Sequence, residues 1–227
     1  MNEDGIEPQR RSGVIFDVDG TLVDSTYLHT LAWARTFRDA GHRVETFRIH
    51  RAVGMGSDQL VPTLIGHGQP ELSDRHSEDY QDFGDEARGF AQVPELLRAL
   101  HGRGLQVVLA TSAKPDLLSR LLAEIGAADA IDFVVSSEDV STSKPAPEIF
   151  VTALERANLP VGRTLVVGDS VWDVKAAARS HLPAVAVLCG GTSKAELQES
   201  GATQIYEDPA DLLANLDRWL RLIPTGD

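Results

Sequence analysis

The chain has 227 residues, 42% of them hydrophobic, enough for one substantial core with a smaller lobe beside it. Its 34 acidic residues against 21 basic ones give a formal charge of −13, a field that repels nucleic acid and anionic lipid and argues against both as partners. No apolar run approaches the roughly 20 residues of a membrane helix, residues 1–12 carry no apolar signal segment, and the single cysteine, Cys189, excludes an internal disulfide framework; together these features predict a cytoplasmic protein.

Residues 1–11 read as a polar, disordered segment. The apolar triplet Val14-Ile15-Phe16 then runs into Asp17-Val18-Asp19-Gly20, a short buried strand ending in a turn. Over 26–90 the pattern becomes helix-like, with helices expected over 27–40, closed by Gly41, and over 57–65, while 66–89 is polar and rich in Asp, Glu and Gly. From Pro94 helices and strands alternate: helix 94–101, strand 105–110, helix 115–125, strand 133–135, helix 147–158, strand 164–167 and helix 171–179. The series continues as strand 184–188, a helix from Ala195, a weak strand 204–206 and a helix near 210–221. Punctuation agrees, with Pro94 and Pro115 suited to first helical turns and Gly126 to a helix C-terminus. This alternation predicts an α/β fold: a Rossmann-like three-layer core with a mostly parallel sheet, built from 12–25 and 91–227, plus an inserted all-helical lobe over 26–90. Ligands in that architecture sit beyond the carboxyl ends of the strands.

Four short elements fall at those ends. In Asp17-Val18-Asp19-Gly20-Thr21, two carboxylates two residues apart leave a strand together and can reach one point, one as nucleophile and the other as acid and base. The alternative is an Asp-Gly turn whose aspartates satisfy backbone donors. Thr111-Ser112 offers hydroxyls and successive amides at a helix start, either a phosphate cradle or an ordinary helix cap. In Lys144-Pro145-Ala146-Pro147 the prolines stiffen the segment that carries Lys144, one of only four lysines; the alternative is an exposed loop lysine. Gly168-Asp169-Ser170-Val171-Trp172-Asp173 places two aspartates on one side of a first helical turn, as hard oxygen ligands for magnesium or as complements to the helix dipole. In so acidic a chain a phosphate substrate must be drawn in by such local positive elements: a metal, a lysine or helix N-termini.

In order, these four elements resemble the motifs of the haloacid dehalogenase superfamily, and the helical insertion resembles the cap of its phosphoglycolate phosphatase and β-phosphoglucomutase branch. The resemblance implies a phosphatase that transfers a phosphoryl group from a small phosphorylated metabolite to Asp17, with Asp19 as general acid and base. It further implies that Gly20, Thr111, Ser112 and Lys144 hold the phosphoryl group, and that Asp17, the backbone carbonyl of Asp19, Asp169 and Asp173, directly or through water, hold Mg2+. The stretch Arg88-Gly89-Phe90-Ala91-Gln92-Val93-Pro94 lacks the Pro-Gly signature expected where the cap returns to the core.

His29 and Trp33, four apart, share a helix face that the resemblance turns toward the nucleophile, and Arg51 with Gly54-Met55-Gly56 is a candidate substrate loop; structural or exposed roles are the alternatives. A phosphosugar mutase of the β-phosphoglucomutase type is the runner-up. Against it, Ala52 and Gly56 stand where the mutase cap carries a cationic cluster, and Gly168 stands where the mutase pattern has a carboxylate.

Overall fold

A computed structural model describes residues 11–223, so the polar N-terminal segment, Arg11 excepted, lies outside the described residues. Strand β1 (Gly13–Phe16) is buried throughout and leads through a tight loop to β2 (Val23–Asp24). Four helices follow, α1 (Thr26–Asp39), α2 (Thr46–Ala52), α3 (Ser57–Ile65) and α4 (Glu71–Gly84), before β3 (Arg88–Gly89) brings the chain back. Helices and strands then alternate as α5 (Val93–Gly102), β4 (Gln106–Ala110), α6 (Pro115–Ile125), β5 (Phe133–Val135), α7 (Glu148–Arg156), β6 (Thr164–Gly168) and α8 (Val171–Arg179). The chain ends with β7 (Ala184–Val187), α9 (Lys194–Ser200), β8 (Gln204–Tyr206), α10 (Pro209–Ala214) and α11 (Leu216–Trp219).

Six strands form one parallel sheet in the order β5-β4-β1-β6-β7-β8. Period-2 alternation builds a core on each face. Val14 and Phe16 of β1, Val107 and Leu109 of β4, and Leu165 and Val167 of β6 pack with α5, α6, α10 and α11, while Ile15, Val108 and Val166 pack with α7, α8 and α9. The sequence therefore reads as continuous apolar runs because both faces are covered. β1 lies centrally, with β4 on one side and β6 on the other, so the chain diverges at its carboxyl end and opens a crevice there.

Helices α1 to α4 form a second lobe with its own core of Trp33, Phe37, Ile49, Leu60, Leu64 and Leu72. Two of these helices, α2 and α4, fall inside the lobe expected to be all-helical but at positions for which the sequence sets no bounds. On α4 only Leu72, Asp79 and Tyr80 are buried, a stripe too narrow to produce a helical period in so polar a segment. The two connections between the lobes pair as an antiparallel ribbon, Val23 opposite Gly89 and Asp24 opposite Arg88, too short to leave any periodic signal. The single helix expected near 210–221 is broken at Asn215, whose side-chain amide donates to the Asp211 carbonyl at 3.0 Å and carboxylate at 2.8 Å and so competes with the helical backbone. No helix among the described residues is long and apolar enough to cross a membrane.

Candidate active site

The sheet's ladder delivers Asp17 directly to the crevice: its N–H donates to Val167 O at 2.9 Å, which seats the carboxylate at the carboxyl end of β1, 3% exposed. The chain turns at once through Gly20, where φ is +82° and an added Cβ would lie 2.2 Å from Thr26 Oγ1. Thr21 Oγ1 lies between two carboxylates, 3.2 Å from Asp169 Oδ1 and 3.4 Å from Asp17 Oδ2. From the loop between β5 and α7, Lys144 reaches in until only 1% of it is exposed, and its Nζ donates to Asp17 Oδ1 at 2.5 Å and to Asp173 Oδ1 at 2.9 Å. The other oxygen of Asp173 accepts from Ser170 N at 3.1 Å and Ser170 Oγ at 2.5 Å, closing a capping box on α8. One carboxylate therefore both caps a helix and pairs with the buried lysine. Glycines leave room for these groups: a Cβ on Gly168 would lie 2.5 Å from Asp173 Cβ, and one on Gly190 only 1.7 Å from Asp169 Oδ2.

Asp17, Asp169 and Asp173 offer ligand oxygens that all lie within 4.8 Å of one another, and all three residues are buried. Three carboxylates thus share one ammonium. Burial and repulsion from Asp173 outweigh the pull of Lys144 and raise the Asp17 carboxyl to about 7, and burial with repulsion from Asp173 and Asp17 raises Asp169 well above the carboxylate range. Lys144 moves the opposite way: burial opposes its charge, but Asp17 and Asp173 raise its pKa. A compact set of hard oxygens with excess negative charge fits a divalent cation such as magnesium.

On the solvent side lies a cavity of about 110 Å³ lined by Asp17, Asp19, Lys144 and Ser112 from the core and by His29, Trp33, Met55 and His76 from the helical lobe. Ser112 Oγ is buried with no hydrogen-bond partner, as befits a donor reserved for a ligand. Thr111 is fully buried; its Oγ1 accepts from Ala113 N at 3.0 Å and donates to Asp19 Oδ2 at 3.4 Å, so it serves both as a local cap and as a contact to the second aspartate.

Asp19 meets the helical lobe. Its Oδ1 accepts from Ser25 Oγ at 2.6 Å and lies 3.2 Å from His29 Nε2. Burial opposes its charge, yet the facing His29, helped by Ser25, brings its carboxyl down to about 2. His29 Nδ1 in turn lies 3.3 Å from His76 Nε2. A carboxylate only accepts, so His29 Nε2 donates to it. Burial, with repulsion from His29, keeps His76 well below the ordinary histidine pKa. Trp33 stacks on His76 at 4.2 Å, and Tyr80 stacks on His29 at 4.0 Å.

Arg51 is not brought to this site. Its guanidinium pairs with Glu196, and it lines an adjoining cleft of about 640 Å³ between α2 and the loops after β6 and β7, which Asp169 also lines. His76 and Lys114 line the cavity but are absent from the sequence-based set. A helical period in 71–84 would have flagged His76 together with Ser73, Ser77 and Tyr80. Lys114 pairs with Asp74 across the lobes at 2.7 Å, a contact no local pattern announces. Cys189, the chain's single cysteine, is partly buried, with its thiol donating to Gly20 O at 3.2 Å.

Residues 12–181 match the family described as haloacid dehalogenase-like hydrolase. A phosphoglycolate phosphatase from Rhodospirillum rubrum is 32% identical over 232 residues, 94% of this chain and 93% of that one. The Arabidopsis thaliana protein SUPPRESSOR OF QUENCHING 1, chloroplastic, is 27% identical over 90% of this chain, which spans 20% of that longer protein. Among solved structures, a hydrolase from Pseudomonas syringae superposes with a TM-score of 0.84 at 33% identity, covering 91% of this chain and 98% of that one. With the family matched over most of its length and a relative similar nearly end to end, this chain belongs to the haloacid dehalogenase-like hydrolases.

Proposed function

We propose that this hydrolase is a magnesium-dependent phosphatase that cleaves a small phosphorylated metabolite through an aspartyl phosphate on Asp17. The observation that carries the reading is Asp17 itself, buried beneath a small cavity, held at 2.5 Å by Lys144 and grouped with Asp169 and Asp173. The phosphatase named among the relatives supports it. Residues 26–90 then act as the cap over a core of 12–25 and 91–227.

Asp17 Oδ attacks phosphorus as the bond to the leaving oxygen breaks, and Asp19 gives that oxygen its proton. Water then attacks the phosphoaspartate, Asp19 takes the proton, and the Asp17–phosphorus bond breaks to release phosphate. With its carboxyl at about 2, Asp19 stands in the basic form that the second half uses; a phosphate dianion arriving beside it raises its pKa toward the acid form that the first half needs. Thr111, Ser112, Lys144 and the backbone at Gly20 hold the phosphoryl oxygens. Asp17, Asp169, Asp173 and the Asp19 carbonyl are placed to hold magnesium, which when bound supplies Lewis-acid stabilisation and offsets the excess carboxylate charge. The cap excludes water through Trp33, His76 and Met55, with His29 as its link to Asp19.

A phosphosugar mutase needs a second cationic site for the far phosphate of a bisphosphate. Arg51 is tied to Glu196 and Arg48 to Glu45, and the cavity's only lysine besides Lys144 is Lys114, paired with Asp74. Transfer to water is therefore the better reading. The test is release of inorganic phosphate from an aryl phosphate ester and from a panel of phosphorylated metabolites, with and without magnesium. For hexose 1-phosphate supplied with its bisphosphate, phosphorus NMR should show free phosphate; isomerised sugar phosphate appearing faster would favour the mutase.

A further inference from the structure

Three successive backbone N–H groups precede Lys144, and a carboxylate receives each of them. Glu148, at the start of α7, accepts from Ser141 N and Thr142 N at 2.8 Å each, both bonds joining residues of the same lobe. The third, Ser143 N, donates to Asp58 Oδ2 at 3.1 Å, and Asp58 belongs to the first turn of α3 in the helical lobe. The two segments can meet because residue 56 is glycine: an added Cβ there would lie 2.1 Å from Ser143 Oγ and 2.5 Å from Ser143 Cβ. Ser143 is buried, so without Asp58 its N–H would lack an acceptor in a place that water reaches poorly.

We propose that Asp58 is a positioning residue that couples the seating of the helical lobe to the placement of Lys144. With the lobe seated, all three amides of the loop are fixed; with it lifted, the amide next to Lys144 is released while the other two stay bound. Lys144 is the one cation among three buried carboxylates, so freedom in its loop loosens the nucleophile that it holds. Asp58 touches no reacting atom and does not itself line the cavity, although Ser143, whose amide it holds, does. The inference rests on the phosphatase reading only where it invokes turnover.

The experiment compares Asp58→Ala and Asp58→Asn in the full chain. Asn keeps an oxygen that accepts from Ser143 N but lacks the charge that favours a helix N-terminus. Turnover of an aryl phosphate ester with magnesium should fall about tenfold in kcat for Asp58→Ala with KM nearly unchanged, and stay within about twofold of wild type for Asp58→Asn. Amide hydrogen exchange, read by NMR, should quicken at Ser143 by at least about tenfold in the Ala variant alone, with Ser141 and Thr142 unaffected. Equal losses in both variants would assign Asp58 to the dipole of α3 and overturn the proposal, as would unchanged exchange at Ser143 in Asp58→Ala. If the wild type cleaves no aryl phosphate, the phosphatase reading fails, and the exchange measurement still decides the role of Asp58.

Discussion

Replacing Asp17 by Asn should abolish turnover and, in the metal-free protein, stabilise the fold. The amide is nearly isosteric but a poor nucleophile, so less than about a hundredth of the wild-type rate should survive. The stability gain follows from the crowding of carboxylates around Lys144. In the folded protein Asp17 titrates at about 7 rather than at 3.8, a penalty of about 4 kcal/mol once it is ionised. The native state binds the proton more tightly than the unfolded chain, so the penalty is absent below pH 3.8, grows from there to pH 7, and is complete above. Asn carries no such charge and leaves Lys144 paired with Asp173. Denaturant unfolding in excess chelator should therefore show the variant more stable by about 2–4 kcal/mol at pH 8, by less than half of that at pH 5, and not at all at pH 3.5. Added magnesium should stabilise the wild type and narrow the gap. A variant less stable than wild type at pH 8 in chelator, or a gain that does not vary with pH, would refute the electrostatic reasoning.

His29→Ala should remove the partner that most lowers the Asp19 carboxyl, moving the acidic limb of the kcat profile to higher pH; an unmoved limb would leave His29 without that role. Lys144→Met should cost about 3–5 kcal/mol in chelator, because Asp17 and Asp173 then lie buried without a counter-charge, and magnesium should restore part of the loss in thermal melts. Gly190→Ala should weaken magnesium binding at least about tenfold by calorimetry, since its Cβ would sit 1.7 Å from Asp169 Oδ2 and displace that ligand. Arg51→Ala should leave kcat/KM for small phosphate esters within about twofold, because its guanidinium lies on Glu196 outside the cavity.

Local chemistry made the catalytic core legible in the sequence. The central strands β1, β4 and β6 are covered on both faces, so they appear as apolar runs, and each ends in a polar turn that the fold sends to one edge; Asp17, Thr111 and Asp169 could be placed there before any contact was known. The prolines after Lys144 marked its segment as stiff, and the spacing of Asp169 and Asp173 put both on one side of a first helical turn, whereas the capping box of Ser170 with Asp173 emerged only in the structure. The helical lobe carried weaker signals: α4 buries only a narrow stripe of a polar helix, and the ribbon joining the lobes is two residues long on each side. What only the tertiary structure decided are the pairings across long stretches of chain: Lys144 with Asp17 and Asp173, His29 with Asp19 and His76, Asp58 with the amide of Ser143, and Arg51 with Glu196 rather than the cavity. The reason is physical. A carboxylate's local sequence fixes its backbone and its turn, whereas its charge state and role depend on which distant groups folding buries beside it.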